Sequence, residues 1–284
     1  FLLIRRPPRS TLDRSSAAAD VYKRQGIDDV EGAALADRAR RAGVDVRTVG
    51  TAADADWSIG ELRESWEGVS FILMGPTTAS DPRLSITLPV PGLHNARNAA
   101  SAAVLALLVG AEPDSVADAL ARFGGVARRF EQRGRVAGVV LVDDYAHLPA
   151  EVVATVRAAR SGNFARLVAV FQPHRFSRTE ALWSSFGSSF EGVDVLFVTD
   201  VYPSGEAPRP GVSGHLLVEA VQRDLPHLDV RYTVRRDDLL DALMDELRPG
   251  DLCLTMGAGD LTSVPTDLRT RLSDKEIRKG VEHA

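Results

Sequence analysis

Four short polar clusters are where this chain could do chemistry, and each directly follows an apolar run. They are Asp143-Asp144-Tyr145-Ala146-His147, Gln172-Pro173-His174-Arg175-Phe176-Ser177-Arg178, Asp200-Val201-Tyr202-Pro203-Ser204-Gly205-Glu206 and Gly257-Ala258-Gly259-Asp260. The second is the most pointed. Arg175 and Arg178 lie three apart at an expected helix start, where they can share one face. The helix N-terminus adds partial positive charge and free N–H groups there. Two guanidiniums so placed would clamp a carboxylate or a phosphate, each with bidentate geometry. The alternative is a capped helix with two solvated arginines, and the other polar strand ends beside it favour the clamp. Asp144 could hold an arginine, a cation through water or a ribose hydroxyl, or could only cap a turn. His147 could orient a substrate or shuttle protons, or could be a surface histidine. Gly257-Ala258-Gly259 permits close backbone approach to a ligand. It lacks the third glycine of a dinucleotide fingerprint and follows the last strand, which argues against a nicotinamide site.

Two further stretches carry candidates. In His94-Asn95-Ala96-Arg97-Asn98, Asn95 and Asn98 are one helical turn apart. A carboxamide can pair donor and acceptor with the edge of a purine, although Asn95 could also serve as a plain N-cap. Arg128-Arg129-Phe130 follows the break at Gly124-Gly125. An arginine at an interdomain hinge can reach a phosphate when domains close, or can be a surface residue.

The elements that must position these groups fall into two patterns. Residues 26–125 give a helix over Val30 to Ala42, strands at 45–49, 56–60, 68–74 and 85–89, a buried alanine-rich helix over Ala96–Val109, and a helix over Ser115–Phe123 with Asp114 as N-cap. From Val126 to Leu272 short apolar strands alternate with amphipathic helices: strands at 139–142, 167–171, 195–199, 230–233 and 252–256, and helices at 149–160, 177–190, 213–223 and 237–247, with a last one ending near Leu272. That alternation predicts a mostly parallel, Rossmann-like sheet covered on both faces. Ligands of such sheets sit at the carboxyl ends of the strands, where the four clusters fall. The charged tail 273–284 is assigned no function.

Bulk composition narrows the classes. The chain has 284 residues, 44% hydrophobic and 26% charged, and a net charge of −5, which argues against nucleic acid or an anionic membrane as partner. No apolar run reaches the roughly 18 residues needed to span a bilayer. The single cysteine, Cys253, lies in an apolar run and reads as core; it excludes an internal disulfide and fits a cytoplasmic setting. Lysine occurs only at Lys23, Lys275 and Lys279, so chemistry needing an interior lysine has no candidate. Residues 1–25 make neither a signal peptide nor a good element. They resemble a translated sequencing-adaptor tract and are expected to be non-native.

In order and spacing, the motifs Gly92-Leu-His94-Asn95-Ala-Arg-Asn98-Ala99, Arg128-Arg129-Phe130, Asp143-Asp144-Tyr145-Ala-His147, Phe171-Gln-Pro-His174-Arg175-Phe-Ser-Arg178-Thr179, Asp200-Val-Tyr202, Gly205-Glu206 and Gly257-Ala-Gly-Asp260 resemble the Mur ligase family. The resemblance runs from about Gly26 to about Leu272. The string from Gln172 to Thr179 is the specific part, and is similar to the branch that joins L-alanine to UDP-N-acetylmuramate. What the resemblance implies is an α/β C-terminal domain (126–272) preceded by the end of an α/β ATP-binding central domain (26–125). The implied reaction belongs to cytoplasmic peptidoglycan precursor synthesis: the muramate carboxylate takes the γ-phosphoryl group of ATP, the L-alanine amine attacks the acyl phosphate, and phosphate leaves. Carried over by position, His94, Asn95 and Asn98 fall on the ATP side. Arg129 and Asp144 fall on catalytic positions that meet ATP on closure. Tyr145, His147, His174, Arg175 and Arg178 fall on the amino-acid side.

The sequence departs from the family pattern in two places. Leu148 stands where the family has a second histidine. No Gly-Lys pair occurs anywhere, so the family's phosphate-binding loop, like its Mg2+ ligands, is expected upstream. The chain is then expected to be a fragment, inactive alone. A non-catalytic nucleotide- or amino-acid-binding module of the same fold is the competing expectation, and a nicotinamide oxidoreductase a third.

Overall fold

The computed structural model describes residues 2–5, 30–76 and 83–282. The chain divides into two compact units, Phe1–Gly124 and Gly125–Ala284. Most of the stretch 1–25 lies outside the described residues. Within it, Leu2–Arg5 form a strand, β1, paired antiparallel with β2 (Asp45–Gly50), an element that sequence reasoning did not assign.

The first unit opens with α1 (Val30–Arg41), and β2 then runs parallel to β3 (Trp57–Ser65) over a short register. A meander of β3, β4 (Gly68–Met74) and β5 (Arg83–Leu88) completes a sheet of order β1-β2-β3-β4-β5. Buried and half-buried residues alternate along β4 and the first half of β3, the period of a sheet with one covered face, and the second half of β3 alternates exposed with half-buried. That face carries Trp57, Ile59, Phe71, Leu73 and Ile86, and closes against Ala96, Ala100 and Val104 of α2 (Leu93–Leu108). Small alanines let α2 approach the sheet closely. The next helix, α3 (Pro113–Ala121), is capped by Glu112 with Pro113 in the first turn, so the expected Asp114 cap is displaced by two residues. Proline is suited to that position because its missing N–H is unpaired there anyway.

The second unit bears out the parallel α/β reading. Its sheet has the order β10-β9-β8-β11-β7-β6, with β7 (Val139–Asp144), β8 (Leu167–Phe171), β9 (Val195–Val198), β10 (Asp229–Tyr232) and β11 (Leu252–Met256) parallel. The edge strand β6 (Glu131–Val136) is antiparallel to β7. The connecting helices are α4 (Pro149–Arg160), α5 (Phe176–Leu182), α6 (His215–Asp224), α7 (Arg236–Glu246) and α8 (Val264–Glu282). α5 stops at Leu182 and passes into a short 3-10 turn, Trp183–Phe186, so it is shorter than the predicted helix. α8 carries the charged tail on as helix to Glu282.

All residues of β7, β8, β9 and β11 are buried. One face places Leu141, Val170, Phe197 and Cys253 against Leu239, Leu243, Val264 and Leu268 of α7 and α8. Cys253 is 1% exposed, and burial pushes its thiol up to about 12, which fits core rather than nucleophile. On the other face Phe171 meets the rings of Phe186 and Phe190. In register, Met256 pairs with Asp144 on one side and Phe171 on the other, and Phe171 pairs with Val198. Strand ends are thereby level, and the loops that follow them share one edge. The chain places β11 last, between β7 and β8, so the slim Gly257-Ala258-Gly259 turn lies between two bulkier polar loops.

Candidate functional site

Asp143 and Asp144 end β7 and, as neighbours on a strand, face opposite sides of the sheet. Asp143 is 1% exposed; it accepts hydrogen bonds from Thr255 Oγ1 (2.8 Å) and Thr262 Oγ1 (3.0 Å), and lies 3.5 Å from Arg128 Nε. Asp144 accepts the N–H of Phe130 and the N–H of Ala146, both at 2.7 Å, and more weakly the hydroxyl of Thr155 at 3.3 Å. Burial pushes the Asp144 carboxyl above its ordinary range, against the opposing pull of those two N–H groups and of Arg129. One oxygen is thus committed to the backbone of the preceding segment at Phe130 and the other to the following loop at Ala146 and to Thr155.

That segment is wound tightly. Arg128 and Phe130 both have positive φ, 59° and 49°, a conformation costly for non-glycine residues unless the surroundings enforce it. Arg128 donates from Nη2 to Gly257 O at 2.6 Å and lies over the Tyr145 ring at 4.9 Å. Arg129 is half-exposed, 5.4 Å from the same ring and 3.9 Å from Glu151 Oε1. Tyr145 therefore receives both arginines on its π-system.

Rings from three strand ends form a row. Tyr145 meets His147 edge-on with centroids 5.3 Å apart, His147 lies 5.9 Å from His174, and His174 stacks on Tyr202 at 5.8 Å with only 11° between planes. Backbone bonds fix the last pair: Tyr202 N–H donates to Pro173 O at 2.8 Å and Arg175 N–H to Tyr202 O at 2.9 Å. Gly259 underlies it. A Cβ there would come within 2.2 Å of Gln172 Oε1 and 2.6 Å of Tyr202 Cγ, so only glycine fits. Gln172 is turned by its Nε2 bond to Asp260 at 2.9 Å.

His147 Nδ1 lies 2.9 Å from Tyr145 O and 3.3 Å from Glu151 Oε2. Glu151, in the first turn of α4, also accepts the N–H of His147 at 3.0 Å and of Leu148 at 3.2 Å. The Leu148 side chain has no oxygen to return a bond, so this helix start is capped by a side chain from one direction only. His174 receives Arg178 Nη1 on its Nδ1 at 3.2 Å. Burial, then Arg178, His147 and Arg175, pull its pKa below the usual histidine value, which keeps the ring neutral.

At the N-terminus of α5 one N–H is already taken: Glu206 accepts Ser177 N–H at 2.9 Å and the Ser177 hydroxyl at 2.6 Å. Those bonds hold the Glu206 carboxyl below its usual range. Arg175, the N-cap residue with φ 70°, is exposed. Among the described residues neither Arg175 nor Arg178 has a carboxylate within ion-pair distance.

In the first unit, Gly92 caps α2 with φ 101°, and Asn95 sits inside the first turn, donating Nδ2 to Pro91 O at 2.7 Å. The expected Asn95 N-cap is thus replaced by glycine, which adopts that φ without strain. His94 and Asn98 are half-buried on the same opening turns.

The structure brings Arg129, Asp144, Tyr145, His147, His174, Arg175 and Arg178 to one edge of the second unit. Sequence reasoning named Asp143, Gln172, Tyr202 and Glu206 only as members of their polar motifs and Arg128 only as one of the Arg128-Arg129 pair, and it did not single out Glu151. For Glu151 the local signal was Pro149 two residues before it, a helix-start pattern. The rest act through contacts between distant segments.

A family model for the Mur ligase middle domain matches residues 22–106, and one for the Mur ligase glutamate ligase domain matches 128–259. The UDP-N-acetylmuramate–L-alanine ligase of Nitratidesulfovibrio vulgaris (strain DP4) is 50% identical over 180 residues, 63% of this chain and 39% of that one. The enzyme of the same name from Kineococcus radiotolerans is 44% identical over 249 residues, 87% of this chain and 51% of that one. The crystal structure of UDP-N-acetylmuramate-alanine ligase from Thermotoga maritima superposes with a TM-score of 0.67 at 23% identity, covering 81% of this chain and 48% of that one, a likeness of fold. The chain spans about half the length of the curated relatives it matches or less. Two consecutive domain models and these relatives agree, and the chain belongs to the Mur ligase family.

Proposed function

We propose that this chain supplies the amino-acid site and the nucleotide-closing arginine of an ATP-dependent, cytoplasmic UDP-N-acetylmuramate–L-alanine ligase. The observation that carries the reading is the pair Arg175 and Arg178, without carboxylate partners among the described residues, beside the row Tyr145, His147, His174 and Tyr202. A small carboxylate would meet two guanidiniums there, with imidazoles alongside. Arg129, half-exposed, 5.4 Å from the Tyr145 ring and in a long contact with Glu151, has the freedom to meet a phosphate. Arg128 and Asp144 are bound into the fold and act as positioning residues for it. His94, Asn95 and Asn98 are proposed for the adenine, on the opening turns of α2.

The family's chemistry also draws on Mg2+, which would neutralise phosphate charge. Among the described residues no group of three or more His, Cys, Asp and Glu is arranged to hold a metal. No helix among the described residues is long and apolar enough to cross a membrane.

Steady-state kinetics test the reading. In a ligase polypeptide containing this chain, Arg175→Ala or Arg178→Ala should raise the L-alanine KM about tenfold or more, the loss expected for one charge-assisted hydrogen bond. The ATP KM should stay nearly unchanged. Equal effects on both would sink the assignment.

A further inference from the structure

The two histidines of the row are held through Nδ1 in opposite senses. Around His147, Nδ1 faces Tyr145 O at 2.9 Å and Glu151 Oε2 at 3.3 Å. Both are acceptors only, so the ring proton sits on Nδ1 and the neutral ring presents a lone pair at Nε2. Around His174, Nδ1 faces Arg178 Nη1 at 3.2 Å. A guanidinium can only donate, so Nδ1 accepts and the ring proton sits on Nε2. Neither Nε2 atom is engaged or sealed off among the described residues. The ring centroids are 5.9 Å apart.

The surrounding charge has the same polarity. Glu151 stands behind His147, its second oxygen at the outer edge of ionic contact with Arg129 at 3.9 Å. Arg175 and Arg178 flank His174, with Glu206 drawn off to the Ser177 N–H and hydroxyl. One end of the pair is an acceptor beside a carboxylate, and the other a donor beside two cations.

We propose that this opposed pair of tautomers reads the direction of a zwitterionic α-amino acid. His147 Nε2 receives the ammonium N–H, and His174 Nε2–H together with Arg175 receives the carboxylate. The assignment rests on the amino-acid reading above and adds its orientation. It also gives Glu151 and Tyr145 a task, since they fix the His147 proton on Nδ1. A ligand with a carboxylate and no amine engages only the His174 end.

The test uses the 15N-labelled chain, with the imidazole nitrogens observed by long-range proton–nitrogen NMR. In the free chain, His147 should show a bare Nε2 and His174 a bare Nδ1. L-Alanine should move both rings, whereas propionate should move His174 alone. His147→Gln should weaken L-alanine about tenfold or more, as loss of a hydrogen bond to a charged group does, and leave propionate unchanged. The tautomers are read in the unsubstituted chain, so a poorly folded variant leaves the test intact. Both histidines in one tautomer, propionate moving His147 Nε2 as L-alanine does, or His147→Gln weakening both ligands alike would overturn the orientation while leaving an amino-acid site. If neither ligand moves either ring, the amino-acid reading fails and the orientation with it.

Discussion

Asp144 Oδ2 accepts the backbone N–H of Phe130 at 2.7 Å, tying the end of β7 to a segment fourteen residues earlier. Its neighbour Asp143, on the opposite face, lies 3.5 Å from Arg128 Nε. Two adjacent carboxylates therefore hold alternate residues, 128 and 130, and Arg129 between them is the one left to reach outward. Removing the Asp144 carboxylate leaves the N–H groups of Phe130 and Ala146 without acceptors. Each such buried group costs roughly 1–3 kcal/mol, so Asp144→Ala should lose about 3 kcal/mol in urea unfolding. Asp144→Asn, which keeps one acceptor oxygen, should lose less. A loss in Asp144→Ala within the error of the measurement would show that the tie contributes nothing.

Arg128 bridges the same segment to the loop after β11 through Gly257 O at 2.6 Å. A lysine keeps the charge but not the planar fork that serves a carbonyl, a carboxylate and an aromatic face together. Arg128→Lys should therefore speed amide hydrogen exchange in residues 257–259 and lower Tm by about 2–4 °C, roughly what about 1 kcal/mol produces in a domain of this size. Unchanged exchange in that loop would remove Arg128 from its support.

Much of this architecture is legible in the sequence, for a physical reason. Val139–Val142, Leu167–Phe171, Val195–Val198 and Leu252–Met256 are buried on both faces, so they read as unbroken apolar runs between helices. The polar clusters stand out because each interrupts such a run at its carboxyl end. β6 was not legible. Its sequence, EQRGRV, is mostly polar, and it is held at the sheet edge by backbone bonds to β7. Its turn, Ala137-Gly138, has both φ values positive, 49° and 74°, yet lacks the Asn-Gly or Asp-Gly pair that marks such hairpins. Glu206 on Ser177, twenty-nine residues away, and Arg128 on Gly257, far along the chain, leave no local pattern at all.

The close approach of Gly259 to Gln172 and Tyr202 gives a sharper probe of the site than a residue in it would. A Cβ at 2.2 Å from Gln172 Oε1 and 2.6 Å from Tyr202 Cγ must displace both. The Gln172 amide would turn against its bond to Asp260, and the Tyr202 ring should move off His174. Gly259→Ala should then weaken L-alanine binding while the far-ultraviolet circular dichroism of the chain is preserved. Full retention of binding would mean that the His174–Tyr202 stack does not shape the site.

The lowered His174 pKa has a consequence for stability whose sign is fixed. The unfolded histidine titrates near 6.5, whereas the folded ring, buried and facing Arg178, His147 and Arg175 with only Glu206 opposing, titrates lower. Between those two values the unfolded chain binds more protons than the folded one. Stability therefore rises with pH through that window and is lost as pH falls from 6.5 through the folded value. His174→Gln removes the titration and should flatten the slope of unfolding free energy against pH in the weakly acidic range, while other groups keep their own contributions. Parallel slopes for the two proteins would show that the ring titrates alike folded and unfolded, and that the cations around it do not hold it neutral.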